Sequence, residues 1–190
     1  MVLGKVRLGI RRGFSMLELA MTVSVISIIA GIAIPRMNLH RFRLDASVRL
    51  IQTTLQQSER ESVKRQHNYV VGFDVAGKRL RVLDDQNNNG AADANERVLW
   101  KELDEGIKFA NPPAGFNGGA AVSVTGTKIV TVDGYPSIIF RRDGAANTDA
   151  QVYITSTRNQ NGDFRLLSVT RATGRVDWYR YGTTWKRGPT

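Results

Sequence analysis

Three hydropathy patterns follow one another along the chain. From Phe14 to Ile34 nearly every position is apolar, and Glu18 is the only charge. From Arg36 to about Gln66 apolar positions return at three- and four-residue spacing: Phe42, Leu44, Val48, Ile51 and Leu55, with Ser58 and Ser62 or Val63 extending the stripe. Arg41, Arg43, Asp45, Arg49, Gln52, Gln56, Glu59 and Lys64 fill the gaps. That period predicts a helix with one packed stripe and one wet face. Beyond Asn68 the helical period gives way to short runs bounded by turn residues.

Those runs predict strands at Tyr69–Val75, Lys78–Leu83, Glu96–Leu103, Ile107–Ala110, Ala121–Val132, Ser137–Arg141, Gln151–Thr157, Phe164–Thr170 and Arg175–Tyr181. Ala76-Gly77 reads as a hairpin turn between the first two. Val98, Trp100 and Leu103 are expected to face one way. Asp133-Gly134, Asp143-Gly144, Asn161-Gly162 and Thr173-Gly174 punctuate the later strands, and Ala114–Ala120 reads as a loop. Many short strands at close spacing suit an antiparallel sandwich or open barrel. The expected class is α+β: a long N-terminal helix packed on an antiparallel, sandwich-like β domain.

The apolar run is long enough for about 30 Å of helix, the thickness of a bilayer's hydrocarbon core. A carboxylate at mid-membrane depth costs about 3 kcal/mol, so Glu18 calls for a partner. Three readings compete. A cleaved secretory signal would use Lys5, Arg7, Arg11 and Arg12 as its basic region and a cut near Gly31 or Ala33, but the run is long for that and contains Glu18. A plain anchor needs no special residue at either end. The third reading rests on a resemblance to a known family. Ala30, Gly31 and Ala33 would let a neighbouring helix come close, and Pro35 removes a backbone donor and loosens the helix there.

Composition narrows the chemistry. There is no cysteine, which excludes disulfides, thiolate metal sites and thiol nucleophiles. Two histidines, His40 and His67, flank the amphipathic segment without a second ligand at helical spacing. No phosphate loop or nucleophile elbow appears, so no enzyme is expected. The net charge is +10; four of those charges lie in Met1–Gly13, leaving +6 without them. A basic balance permits anionic partners. Arg36, Arg41 and Arg43 nearly offset the basic residues of Met1–Gly13 in any charge-based orientation.

The N-terminal segment resembles the class III leader and first helix of type IV pilins and pseudopilins. The shared features are a short basic leader ending at Gly13, an aromatic Phe14, Glu18 at the fifth position after it, an uninterrupted apolar run and Pro35. The later pattern Ser137-Ile138-Ile139-Phe140, Asp143-Gly144, Leu166–Thr170 and Thr173-Gly174-Arg175-Val176 resembles the GspH/FimT branch. The resemblance implies a leader at 1–13, a transmembrane half-helix at 14–35, a periplasmic half-helix at 36–67 and a β domain at 68–190. It implies prepilin-peptidase cleavage between Gly13 and Phe14, N-methylation of Phe14, and a Glu18 that pairs with the freed amine of a neighbouring subunit. Partners would be other pilins or pseudopilins through the first helix, the peptidase and an inner-membrane assembly platform. The chain would cross the inner membrane once, N-terminus in the cytoplasm, and serve a type II secretion pseudopilus or a type IV pilus.

Two further motifs carry expectations. Asp85 to Glu96 fits the twelve-residue calcium pattern D-x-N-x-N-G-x5-E: Asp85, Asn87, Asn89, the Ala91 carbonyl, Asp93 and Glu96 as ligands, Gly90 at the turn. Its alternative is a polar hairpin loop held by Asx turns, and no other cofactor is expected. FimT-like proteins bind DNA through G-R-x-R; here that string is Gly174-Arg175-Val176-Asp177, with Asp177 in place of the second arginine. Around it Arg171, Arg175, Arg180, Lys186 and Arg187 alternate with Trp178, Tyr179, Tyr181 and Trp185, a pattern suited to phosphates and stacked bases. An edge strand with one aromatic face buried explains the same spacing.

Overall fold

The structure is a computed structural model that describes residues 14–33, 39–111, 122–124, 130–182 and 184–188. Gly13 and Pro35, and with them the cleavage junction and the expected kink, lie outside the described residues. Two compact units are present, Met1–Asn38 and Leu39–Thr190.

The first unit contains helix α1, Met16–Ala33. Ser15 starts it, its Oγ accepting the Leu17 N–H at 3.2 Å. Eighteen residues rise about 27 Å. Among the described residues no helix is long and apolar enough to cross a membrane. The hydroxyls of Thr22, Ser24 and Ser27 donate to the carbonyls of Leu19, Ala20 and Val23, so the helix satisfies these hydroxyls itself.

The second unit begins with α2, Leu39–Arg65. Leu44, Ser47, Val48, Ile51, Thr54, Leu55, Ser58 and Ser62 form its buried stripe. Small hydroxyl residues let the helix lie close to the sheets. Thr54 and Ser58 bond back along the helix, and Ser62 Oγ reaches the Arg141 carbonyl at 2.9 Å. Phe42 does not join this stripe and is 75% exposed; it precedes Leu44 by two residues, about 200° around the helix, which puts it on the opposite face. Val63 is also exposed, so Ser62 carries the stripe. Gln66 ends the helix in the left-handed region, φ 62.

The strands are β1 Asn68–Asp74, β2 Arg79–Asp85, β3 Arg97–Glu102, β4 Ile107–Phe109, β5 Val122–Val124, β6 Val130–Val132, β7 Tyr135–Phe140, β8 Ala150–Ser156, β9 Arg165–Val169, β10 Val176–Tyr181 and β11 Trp185–Arg187. One antiparallel sheet has the order β3-β2-β1-β7-β6. The other runs β11-β10-β9-β8-β4, with β5 also on β8. The segment Ala121–Val132, expected as one strand, is two. Its start pairs with β8 in one sheet, and its end pairs with β7 in the other. The stretch reads as one β-prone run with no strong turn signal, but hydrogen-bonding partners are a non-local matter.

One large core joins α2 to both sheets. Leu44, Val48, Ile51 and Leu55 meet Val71, Phe73 and Phe140 from the first sheet and Ile154, Leu167 and Trp178 from the second. Phe73 and Phe109 make an edge-to-face contact at 5.9 Å. A small second cluster of Val70, Leu83, Val132, Val98 and Ile139 covers the other face of the first sheet. Leu103 joins the large core, not Val98 and Trp100, because it lies at odd spacing from them on a two-residue period.

Candidate functional site

The large apolar side chains of α1 and of Phe14 just before it are exposed. Phe14, Met16, Leu17, Leu19, Met21, Val23, Val25, Ile26, Ile28 and Ile29 are all at least half exposed. Glu18, in the first turn, has no ion-pair or hydrogen-bond partner among the described residues. The helix is therefore apolar all round, with one unpaired carboxylate near its start.

The expected calcium loop closes on itself. Asp85 is fully buried; its two oxygens accept the N–H groups of Asn89 (3.0 Å) and Gly90 (2.9 Å). Burial pushes the Asp85 carboxyl above its usual range, while those amides pull the other way. Glu96 accepts from the backbones of Gln86, Asn87 and Asp93. The side-chain amides of Asn87 and Asn89 both donate to Asp93 Oδ2, at 2.6 and 2.8 Å. Ala91 N–H donates to Asn89 Oδ1. Among the described residues no three acidic or histidine side chains form a group that could hold a metal ion.

The basic C-terminal residues fall into separate places. Arg175 pairs with Asp177 at 3.1 Å, and Arg187 bonds the same carboxylate. The residue that breaks the G-R-x-R string thus engages two of the five expected cations. Arg171 is exposed, and its backbone N–H donates to Asp149. Arg180 and Lys186 stand opposite each other on β10 and β11 and line a cavity with Arg41. Trp178 is buried, and Trp185 packs on Tyr181 and Tyr153 with ring centres 5.1 and 6.1 Å away. Trp185 and Tyr181 are thus engaged with each other, and Trp178 with the core.

Sequence reasoning missed strand β11 and the buried pair Arg165–Asp45. Gly182 followed by Trp185-Lys186-Arg187 was the available signal for a final hairpin. Nothing local marked Arg165, whose partner is 120 residues away. Arg165 is fully buried; its Nε donates to Asp45 Oδ1 at 2.9 Å and its Nη1 to the carbonyls of Gly162 and Phe164. Burial pushes its guanidinium below the usual range; Asp45 opposes that shift and Arg180 adds to it. A second cavity, ≈ 270 Å³, lies between α2 and the first sheet beside Arg65, Tyr69 and Asp84. His67 stacks on Tyr69 and places Nδ1 3.2 Å from Asp84.

An exposed apolar first helix, followed by an amphipathic helix laid on antiparallel sheets, defines a pilin-like protein. The model of the family described as type II transport protein GspH matches residues 47–173. The chain belongs to that family, whose members are structural subunits, and it is not an enzyme. The minor pseudopilin EpsH from the type II secretion system of Vibrio cholerae has a similar fold: TM-score 0.50 at 13% identity, covering 75% of this chain and 96% of that one. Pilin-like protein PilA1 of Thermus thermophilus is 32% identical over 90 residues, 45% of this chain and 56% of the relative. The match thus spans little more than half of that relative's length.

Proposed function

We propose that this protein is a minor pseudopilin, cleaved between Gly13 and Phe14, methylated on Phe14, and built into a short filament through α1. The observation that carries this reading is α1 itself, an apolar helix whose large side chains are exposed. Such a helix belongs in lipid before assembly and against other subunits' helices afterwards. Its hydroxyls are already bonded to its own carbonyls, which leaves Glu18 as the group in need of a partner. A freed α-amine at Phe14 of a neighbouring subunit answers that need, and the pair fixes the axial register between subunits. The chain then sits in the inner membrane with its second unit in the periplasm, or in the filament. It meets the prepilin peptidase, an assembly platform and other pseudopilins. The family description favours the type II secretion pseudopilus over a type IV pilus. DNA capture has less support, because Asp177 holds Arg175 and Arg187.

The test is the mature N-terminus by mass spectrometry. Methylated Phe14 is the expected first residue. Glu18→Ala is expected to leave cleavage intact and to abolish co-assembly with other pseudopilins in detergent extracts. A different first residue, or full incorporation of the variant, removes the proposal.

A further inference from the structure

The cavity beside the start of α2 is lined by Arg41, Gly162, Arg180, Tyr181, Gly182 and Lys186, with a volume of ≈ 370 Å³. All three charged residues in that lining are cationic. Lys186 stands directly across from Arg180 on the β10–β11 pair, and Arg180 directly across from Arg165 on the β9–β10 pair. Like charges placed opposite one another in an antiparallel pair repel and destabilise it. Among the described residues Arg41, Arg180 and Lys186 have no carboxylate partner.

Arg165 makes the corner more than a surface patch. It is fully buried, and it bonds the carbonyl of Gly162, a residue of the cavity wall. Its Nη2 lies 2.9 Å from Asp45 Oδ1 but out of line for a hydrogen bond, so that N–H group has no acceptor. Two carboxylates act on Arg165. Asp45 is spent on the pair itself. Asp163 is held by Arg158 and by Ser156. Four cations therefore share one corner, and both carboxylates that act on Arg165 are already committed. An oxyanion seated in the cavity relieves the repulsion, and guanidinium and ammonium donors suit phosphate oxygens.

We propose that this corner binds the phosphate of an anionic phospholipid headgroup. The assignment of lipid as the source rests on the pseudopilin reading. In that reading the chain is held at a membrane, where phospholipid headgroups are the most concentrated phosphates it meets, and the all-cationic lining complements their charge. Duplex DNA fits less well. The site is a pocket of single-headgroup size, and the arginines that would extend it into a track, Arg175 and Arg187, are tied to Asp177.

The experiment titrates the full chain in a non-ionic detergent micelle with short-chain phosphatidylglycerol, following heat by calorimetry. Phosphatidylcholine of the same chain length, inorganic phosphate and a short DNA duplex are titrated in parallel. Saturable one-to-one binding of phosphatidylglycerol is expected, with the other three weaker by about tenfold or more. Arg180→Gln with Lys186→Gln is expected to weaken it by about tenfold or more, and Arg175→Gln to leave it unchanged. The double variant is expected to melt at or above the parent's temperature, since it relieves like-charge repulsion and both side chains lie on the surface. Undiminished phosphatidylglycerol binding by the folded double variant overturns the proposal. Inorganic phosphate bound as tightly as the lipid overturns the lipid assignment, and preferred duplex binding lost in the same variant makes the corner a nucleic-acid site. Phosphatidylglycerol binding alongside a mature N-terminus other than Phe14 would remove the pseudopilin reading and leave the site standing.

Discussion

Arg165 sits where α2 meets the second sheet, and its charge is tolerable there only because Asp45 reaches it from the helix. Removing Asp45 leaves a buried cation without compensation, whereas replacing Arg165 with an apolar side chain removes the charge itself. Asp45→Ala is expected to lower unfolding free energy by about 2 kcal/mol, less than for a wholly buried pair because water reaches Asp45. Arg165→Met is expected to cost less; urea midpoints of the two variants check the order. Tyr69 gives a pH signature. Burial, with help from the charge of Asp84 and against that of Arg65, pushes its phenol up to about 12. The folded state thus holds this proton more tightly than the unfolded chain, whose tyrosine ionises near 10. The stabilisation is whole below about pH 10 and is lost as pH rises to about 12. Melting temperature is expected to fall across that window, and Tyr69→Phe is expected to flatten the fall.

Among the elements, the two helices differ in what covers them. α2 buries one stripe of small and branched side chains against both sheets, while α1 has an apolar surface on every side. The turns are equally specific. Gly174, φ 63, brings the β9–β10 turn onto the turn after β7: a Cβ there would sit 2.3 Å from the Gly144 carbonyl oxygen and 2.9 Å from Glu59 Cγ. Gly174→Ala therefore meets both a disfavoured backbone region and a collision with main chain. A loss of about 3 kcal/mol is expected, read as a drop in melting temperature. The loop from Asp85 to Glu96 spends its carboxylates on its own amides, and Asn87 and Asn89 turn donors toward Asp93. Millimolar calcium is expected to leave the melting temperature unchanged. A rise of several degrees would instead assign the loop as the calcium site its spacing resembles.

At the scale of the molecule, a single core spans α2 and both sheets, and it lies wholly within Leu39–Thr190. That unit is expected to fold alone. Its unfolding should be one cooperative transition with the midpoint of the full chain, by circular dichroism in the same buffer. The full chain, carrying α1, is expected to require detergent to stay monodisperse by size-exclusion chromatography, and the unit alone is not.

Much of this was readable from the chain. Leu44, Val48, Ile51 and Leu55 announced the packed face of α2 by spacing, and nearly every strand lay within two residues of its expected place. These are local properties: a side chain's face follows from the helical or pleated period. What the period could not supply was distance. Phe42 had the right chemistry on the wrong face. The segment from Ala121 divided between two sheets whose other strands are remote in sequence. Arg165 found Asp45 across 120 residues, Asp177 took Arg175 and Arg187 out of the basic tail, and Arg41 came to Arg180 and Lys186 from the other end of the unit. Spacing along the chain decided which elements form and which helix lies bare. Only folding decided which charges meet, because a Coulomb interaction depends on separation in space and burial, and neither is written in the order of residues.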